Sequence, residues 1–118
     1  MSTFRDLKIW QKSMDLVTNI YQKTEGFPDS EKYGLVSQIR RSAVSIPSNI
    51  AEGYGRNSNG DFERFLNISM GSLFELQTQI QIALNLTYLE KSDGTALYGL
   101  SREIERMLSS FIRSLQSE

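Results

Sequence analysis

A chain of 118 residues, of which 39% are hydrophobic and 23% charged, has the size and composition of one globular domain, which we expect to span residues 1–118. Its 13 basic and 14 acidic residues give a formal net charge of -1, so attraction to nucleic acid has to come from a local basic patch. The absence of cysteine and histidine excludes disulfides, zinc–thiolate sites and histidine-based catalysis.

The first predicted element is an amphipathic helix from about Asp6 to Thr24, with Asp6 as its cap. Its apolar residues recur at intervals of three and four positions and are Leu7, Trp10, Met14, Val17 and Tyr21. A different face carries a basic stripe, which consists of Arg5, Lys8 and Lys12. Because exposed cations on helices are common, this stripe is either a solvated face or a phosphate-binding surface.

Gly26 and Pro28 end the first helix, and we expect Asp29 or Ser30 to cap a second helix that continues to about Tyr54. The apolar positions of this second helix keep the helical spacing and are Val36, Ile39, Ala43, Ile46 and Ile50.

Pro47 lies inside this second pattern. A proline within a helix removes one backbone hydrogen bond and crowds the carbonyl four residues earlier, here that of Ala43, at a cost of about 3 kcal/mol. We therefore expect one kinked helix and not two helices. Polar side chains near the kink can satisfy the freed carbonyls, and the candidates are Ser42, Ser45, Ser48 and Asn49. The bend is either a structural repair of this kind or a recognition surface.

The third predicted helix runs from about Gly60 to Leu89, after a short polar connection that turns it antiparallel, with Ser58 and Asp61 as a variant capping box. One apolar row consists of Phe62, Leu66, Leu73, Leu76, Ile80 and Ala83. The apolar residues outside the row are Phe65, Ile68, Met70, Phe74, Ile82, Leu84 and Leu86. Because one bundle core does not require so wide an apolar surface, we expect part of it to face another subunit.

Two small residues in the middle of the third helix, Gly71 and Ser72, are expected to let a neighbouring helix approach closely. The composition of Lys91–Thr95 predicts a turn. A fourth helix follows, with apolar positions at Leu97, Leu100, Ile104, Met107, Phe111 and Leu115. The pattern as a whole predicts an all-α, antiparallel up-and-down four-helix bundle with a proline-kinked second helix.

No pattern of catalytic residues is visible in the sequence. A di-iron site of the usual bundle type requires histidine, and Glu52, Glu63 and Glu75 have spacings that specify no shared pocket. We therefore expect a non-enzymatic protein without cofactor or metal. No apolar run reaches signal-peptide length at the start or the roughly 20 residues that cross a bilayer, which predicts a cytoplasmic protein without a membrane segment.

Two adjacent arginines, Arg40 and Arg41, project about 100° apart on the second helix, so both cannot lie on its apolar side. One interpretation pairs an arginine with Glu52 or Glu75. The other adds Arg56 and Arg64 to form a basic end suited to phosphate contacts. Three tyrosines are candidates for stacking on nucleic-acid bases: Tyr33, Tyr54 and Tyr88.

The segments Gln38–Gly53 and Gly71–Leu76 resemble the four-helix-bundle proteins encoded in intervening sequences of bacterial 23S ribosomal RNA genes. The opening segment Phe4–Lys12 and the loop Gly26–Pro28 match the same pattern in the same order, so the resemblance covers roughly residues 4–89. The positions that carry the family pattern, most of them expected to be structural, are Arg40, Arg41, Ser45, Pro47, Asn49, Glu52, Gly53, Gly71, Ser72 and Glu75.

This resemblance implies a bundle whose subunits associate, with a five-membered ring as in close relatives, and no enzymatic activity. It extends to the accessory proteins of diversity-generating retroelements, which bind a reverse transcriptase and nucleic acid through a basic surface. Those proteins are markedly basic, whereas this chain is slightly acidic.

Two functional hypotheses result from the sequence. The first is a homo-oligomeric, non-enzymatic scaffold, pentameric by resemblance, that binds a protein or nucleoprotein partner. The alternative is direct RNA or DNA binding through a local basic patch composed of Arg5, Lys8, Lys12, Arg40, Arg41, Arg56 and Arg64.

Overall fold

The computed structural model describes residues 2–117, and every regular element in that range is helical. Four helices contain most of these residues: α1 Lys8–Thr24, α2 Leu35–Tyr54, α3 Asn59–Asn85 and α4 Lys91–Gln116. Short 3-10 turns at Phe4–Asp6 and Asp29–Glu31 precede α1 and α2. The predicted all-α fold is confirmed, and α3 is the longest helix, as expected.

The four helices pack in a square in which chain neighbours touch and α4 returns to pack on α1. Because successive helices are antiparallel, the chain forms an up-and-down four-helix bundle that measures 46 × 23 × 22 Å. The apolar stripes face the centre, and the fully buried large side chains are Leu16, Ile20, Ile39, Ile46, Ile50, Leu66, Leu73, Leu76, Ile80, Ile104 and Leu108.

The first helix begins at Lys8, and the prediction that Asp6 caps it is wrong. Asp6 belongs instead to the preceding 3-10 turn, where its carboxylate accepts the backbone N–H of Thr3 at 3.0 Å. The Thr3 hydroxyl in turn accepts the N–H of Arg5 at 3.2 Å. The polar residues at this position therefore form a capping box for a separate short turn.

The second helix begins at Leu35, later than predicted, because Asp29 and Ser30 form part of a separate 3-10 turn. Glu31 provides the side-chain acceptor: its Oε1 accepts the N–H of Leu35 at 3.1 Å. Its other oxygen accepts the Tyr88 hydroxyl at 3.0 Å, which ties this helix start to the end of α3. A carboxylate near a helix N-terminus is favourable because of the helix dipole.

Pro47 lies within one continuous helix, Leu35–Tyr54, so an interpretation with two helices is excluded. Its ring is buried, and the carbonyl of Val44, one turn earlier, accepts the Ser48 hydroxyl at 2.8 Å. The carbonyl that Pro47 deprives of a backbone partner is that of Ala43, so its repair by a polar side chain stays a prediction. The kink itself stays a prediction.

The polar network around Pro47 also joins α2 to α3. The Asn49 amide donates to the carbonyl of Ser45 at 2.8 Å and to its hydroxyl at 3.0 Å. The hydroxyls of Ser45 and Ser72 are 2.8 Å apart, and the Ser69 hydroxyl donates to the carbonyl of Ile46 at 2.8 Å. These polar residues therefore hold two helices together at the level of the proline.

The third helix ends at Asn85 and not near Leu89, because Thr87 adopts a left-handed conformation with φ of 60°. The N–H groups of Thr87 and Tyr88 donate to the carbonyls of Leu84 and Ala83, both at 3.0 Å. This arrangement is a Schellman motif with threonine at a position that usually holds glycine.

The fourth helix begins at Lys91, so the predicted turn at Lys91–Thr95 is wrong. Gly94 is buried in this first stretch of α4, where a Cβ would lie 2.5 Å from a Leu84 methyl group. The glycine therefore allows α4 to pack closely on α3. The segment Lys91–Thr95 has the composition of a turn, although it is helical. Asp93 fits a helix N-terminus and pairs with Lys23 at 3.1 Å.

Candidate partner-binding surfaces

Arg40 lies half-buried between α1 and α2 and bonds to neutral oxygens. Its Nε donates to the Thr24 hydroxyl at 3.0 Å and its Nη2 to the carbonyl of Tyr21 at 3.2 Å. The guanidinium lies 4.4 Å from the centre of the Tyr21 ring. The expected ion pair with Glu52 or Glu75 is therefore wrong for Arg40, since its partners come from α1.

Arg41 points to solvent and bonds to Gln38 Oε1 at 2.7 Å, so it forms no ion pair with Glu52 or Glu75 either. Nearby, Tyr33 is 88% exposed, and the Lys32 ammonium lies 5.5 Å from its ring centre. These side chains line an open groove of about 630 Å³, which we call the positive groove and define by Tyr21, Lys32, Tyr33, Arg40, Arg41 and Val44. Within residues 2–117, none of its three cations has a carboxylate partner.

Arg56 and Arg64 form a different cluster at the connection between α2 and α3. Both guanidinium groups contact the Phe65 ring, at 4.7 and 4.6 Å from its centre. Arg56 pairs with Glu52 at 3.7 Å, and Arg64 pairs with Asp61 at 3.8 Å. Glu52, which pairs with Arg56, follows Arg40 by 12 positions on α2, so the two lie roughly 18 Å apart along the helix. The predicted basic end with all four arginines is therefore not one patch.

The predicted basic stripe does not lie on one helix, because Arg5 belongs to the 3-10 turn before α1, and its three cations have different surroundings. Lys12 forms an ion pair with Glu103 of α4 at 2.7 Å, and the hydrogen bond to this carboxylate raises the pKa of Lys12. Arg5 lies 4.6 Å from the centre of the Phe4 ring. Lys8 is exposed and, together with Arg106, borders a groove of about 550 Å³ between α1 and α4.

The three tyrosines that are candidates for base stacking differ in how far other side chains cover their rings. Tyr54 packs edge-on against the Phe62 ring, with 6.0 Å between the ring centres. Tyr88 donates its hydroxyl to Glu31, and this hydrogen bond raises the pKa of Tyr88. Tyr33 alone of the three presents an uncovered ring to solvent.

Two glycines of the predicted pattern have different surroundings. Gly53 is buried, and a Cβ there would lie 2.7 Å from the Cβ of Phe65. The glycine therefore allows the end of α2 to approach α3. Gly71 is exposed and has nothing within 4 Å of the corresponding position, so the prediction that it brings two helices of this chain together is wrong. Sequence reasoning missed Gly94, which has that packing role between α3 and α4.

The side of α3 that faces away from the core carries large apolar side chains among polar ones. Three exposed apolar side chains lie on it and a fourth directly follows the end of the helix, and we call these four, together with Glu75, the α3 outer face: Ile68, Phe74, Ile82 and Leu86. Ile68, Glu75 and Ile82 are seven residues apart, which is two helical turns, so they lie along one line. Phe74 is 48% exposed. Of the seven apolar residues predicted outside the buried row, these four are exposed, whereas Met70 and Leu84 pack against the core.

No group of three or more acidic side chains among residues 2–117 is arranged to hold a metal ion. Glu105 has a lowered pKa because it accepts a hydrogen bond from Gln77 of α3, with a further contribution from Arg102. This polar group joins α3 to α4.

None of the described helices combines the length and apolar character needed to span a membrane.

The fold and these surfaces define an antiparallel four-helix bundle with exposed apolar and basic surfaces. Residues 5–110 match the model of the 23S rRNA-intervening sequence protein family, and the chain belongs to that family. Comparison with curated proteins gives no match.

Among solved structures, the chain is similar to a protein of unknown function from the S23 ribosomal protein family of Bacteroides thetaiotaomicron VPI-5482. The two are 25% identical, with a TM-score of 0.82, and the match covers 88% of this chain and 97% of the other. This likeness agrees with the bundle fold.

Proposed function

We propose that the protein is a non-enzymatic, cytoplasmic homo-oligomer that acts as a binding scaffold for a protein or nucleoprotein partner. The observation that carries this proposal is the exposure, within residues 2–117, of nine large apolar side chains on a bundle whose core is already filled. Contiguous apolar surface on a folded protein is typical of sites of association. The subunit number we propose is five, because the family resemblance implies a five-membered ring.

Light scattering on the purified protein at micromolar concentration tests the assembly. We expect a single species with the mass of several 13.5 kDa subunits. A monomer across the whole range of concentrations would contradict the proposal. The scaffold role requires a defined partner, so cross-linking in the native cell followed by identification of bound protein and RNA should return the same partner repeatedly.

A second candidate function is direct binding of single-stranded RNA or DNA in the positive groove. It is favoured by three cations without carboxylate partners beside the exposed Tyr33 ring, since phosphates and bases would meet both. If it holds, affinity falls steeply with salt, and the double variant Lys32→Ala, Arg41→Ala flattens the slope. Arg113→Ala, which removes an exposed cation elsewhere, serves as the control. Absence of binding at about 50 mM salt would remove this function.

A further inference from the structure

Eight of the nine large apolar side chains exposed among residues 2–117 lie in two groups on separate sides of the bundle, and the ninth, Tyr98, lies on α4. One group lies on α1, on α2 and just before α2: Met14, Tyr21, Tyr33 and Val44. Val44 connects this group, because it lines both the positive groove and an adjoining groove of about 330 Å³ beside Met14. The other group is the α3 outer face. Since α1 and α3 occupy opposite corners of the square, the two surfaces point in different directions.

The two surfaces carry opposite charge. The positive groove contains Lys32, Arg40 and Arg41, which form no ion pair within residues 2–117. On α3, Glu75 is the only charged residue between Phe65 and Asn85. It is exposed, and it has no ion-pair partner within the described part of the chain. This carboxylate lies two helical turns from both Ile68 and Ile82, and its neighbours one turn away are Gly71, Ser72, Thr78 and Gln79.

Arg40 is the cation that most requires an anion. It is half-buried, and the oxygens that accept its hydrogen bonds belong to Thr24 and to the backbone of Tyr21, both neutral. Glu25 and Asp29 line an adjoining groove together with Arg40, but among residues 2–117 neither forms an ion pair with it. A charge that is partly removed from water without a counter-charge is unfavourable. A carboxylate that arrives with an apolar surface would compensate this cost and cover the neighbouring apolar side chains.

We propose that subunits join head to tail, with the α3 outer face of one copy seated on the positive groove of the next copy. Glu75 then meets Arg40 and Arg41 of the neighbouring copy, and the two apolar groups cover each other. This arrangement rests on the homo-oligomer proposed above and specifies which surfaces form it.

The symmetry of such a contact differs from that of an ordinary dimer. Two different patches on one chain form a heterologous interface, which generates a closed ring when the rotation between subunits permits it. One long side of the bundle measures 46 × 23 Å. That side is large enough for the roughly 800 Å² per partner that a stable interface buries.

A single-stranded nucleic acid is the competing occupant of the positive groove. It would neutralise the cations and stack on Tyr33. It would leave the α3 outer face uncovered and Glu75 without a partner, because a carboxylate repels phosphate. A second copy accounts for both surfaces at once, and for this reason the observations favour it.

A charge exchange between the two surfaces tests the pairing. Glu75→Arg and Arg41→Glu should each raise the dissociation constant of the assembly at least about 100-fold, because each places like charges together. The double variant Glu75→Arg, Arg41→Glu should restore assembly to within roughly tenfold of the original chain. Arg113→Glu is the control and should leave the mass unchanged, and circular dichroism verifies that each variant is folded.

A mixing experiment distinguishes head-to-tail contacts from symmetric ones. Ile82→Asp damages only the α3 outer face, and Val44→Asp damages only the surface around the positive groove. Each variant alone should be monomeric, and the two mixed should form a 1:1 heterodimer through their intact surfaces. A symmetric interface would instead let one of the two variants dimerise alone, which would overturn the proposal.

The outcomes separate this proposal from the proposed function. If the original chain is oligomeric and Glu75→Arg remains so, the homo-oligomer stands and the pairing of surfaces is wrong. A monomeric original chain contradicts both. If Arg41→Glu abolishes binding of a single-stranded oligonucleotide while the mass stays multimeric, the groove belongs to nucleic acid and the pairing is overturned.

Discussion

Alanine at two helical glycines should have opposite effects on stability. Gly99 is exposed in the middle of α4, and nothing lies within 4 Å of the position of an added Cβ. Gly99→Ala should therefore gain the helix propensity difference of about 1 kcal/mol. At Gly53 the added Cβ would lie 2.7 Å from the Cβ of Phe65, an atom that moves only with its backbone.

The clash at Gly53 should cost about 1–3 kcal/mol, which outweighs the smaller gain in propensity near the end of α2. Thermal unfolding at one fixed protein concentration measures both variants. For a chain of this size we expect Gly99→Ala to raise the Tm by about 4 °C and Gly53→Ala to lower it by roughly 4–8 °C. If Gly53→Ala were as stabilising as Gly99→Ala, close packing would not explain the buried glycine.

Three further effects are measurable on single variants. Thr87→Asn should stabilise the fold by about 1 kcal/mol in urea unfolding, because asparagine tolerates the left-handed conformation better than threonine does. The control is Thr18→Asn in α1, which should not stabilise the fold. Gln79→Met should also stabilise by about 1 kcal/mol, because it removes a buried side-chain oxygen that has no hydrogen-bond partner among residues 2–117. The lowered pKa of Glu105 means that its contribution is complete above the ordinary value of 4.5 and is lost as pH falls through the folded-state pKa. Gln77→Leu, which removes the main cause, should raise that pKa in an NMR titration and reduce the acid dependence of stability.

The helical pattern was predictable because burial follows directly from periodicity. Leu66, Leu73, Leu76 and Ile80 were expected on one row and are buried, and Ser58 caps α3 as its position indicated. These features depend on residues close in sequence, so local spacing is sufficient to find them.

Features that depend on contacts between helices were not predictable. Gly94 and its neighbours have the composition of a turn, yet the contact with Leu84 requires a glycine inside a helix. Arg40 bonds to α1, 16 residues or more away in sequence, and no local signal specifies that partner. The capping role of Glu31 was hidden because stronger cap residues precede it in the 3-10 turn.

The candidate surfaces were partly predictable. The surplus of apolar residues on the third helix pointed to the α3 outer face, since one core cannot bury every side of a helix. The positive groove was not foreseen as a unit, because Tyr33 and Arg41 meet Tyr21 only when α1 and α2 pack together. The isolation of Glu75 is visible in the sequence, although its meaning depends on knowing which side of α3 is exposed.

The most direct measurement of the central claim uses the absence of cysteine from the chain, because Ile82→Cys then provides a single thiol on the α3 outer face. Its alkylation rate should fall as protein concentration rises and another copy covers the surface, while Ser92→Cys at the exposed start of α4 should react at a constant rate. If both thiols react equally fast at every concentration, no second copy covers this face, and the claim that the α3 outer face joins subunits is wrong.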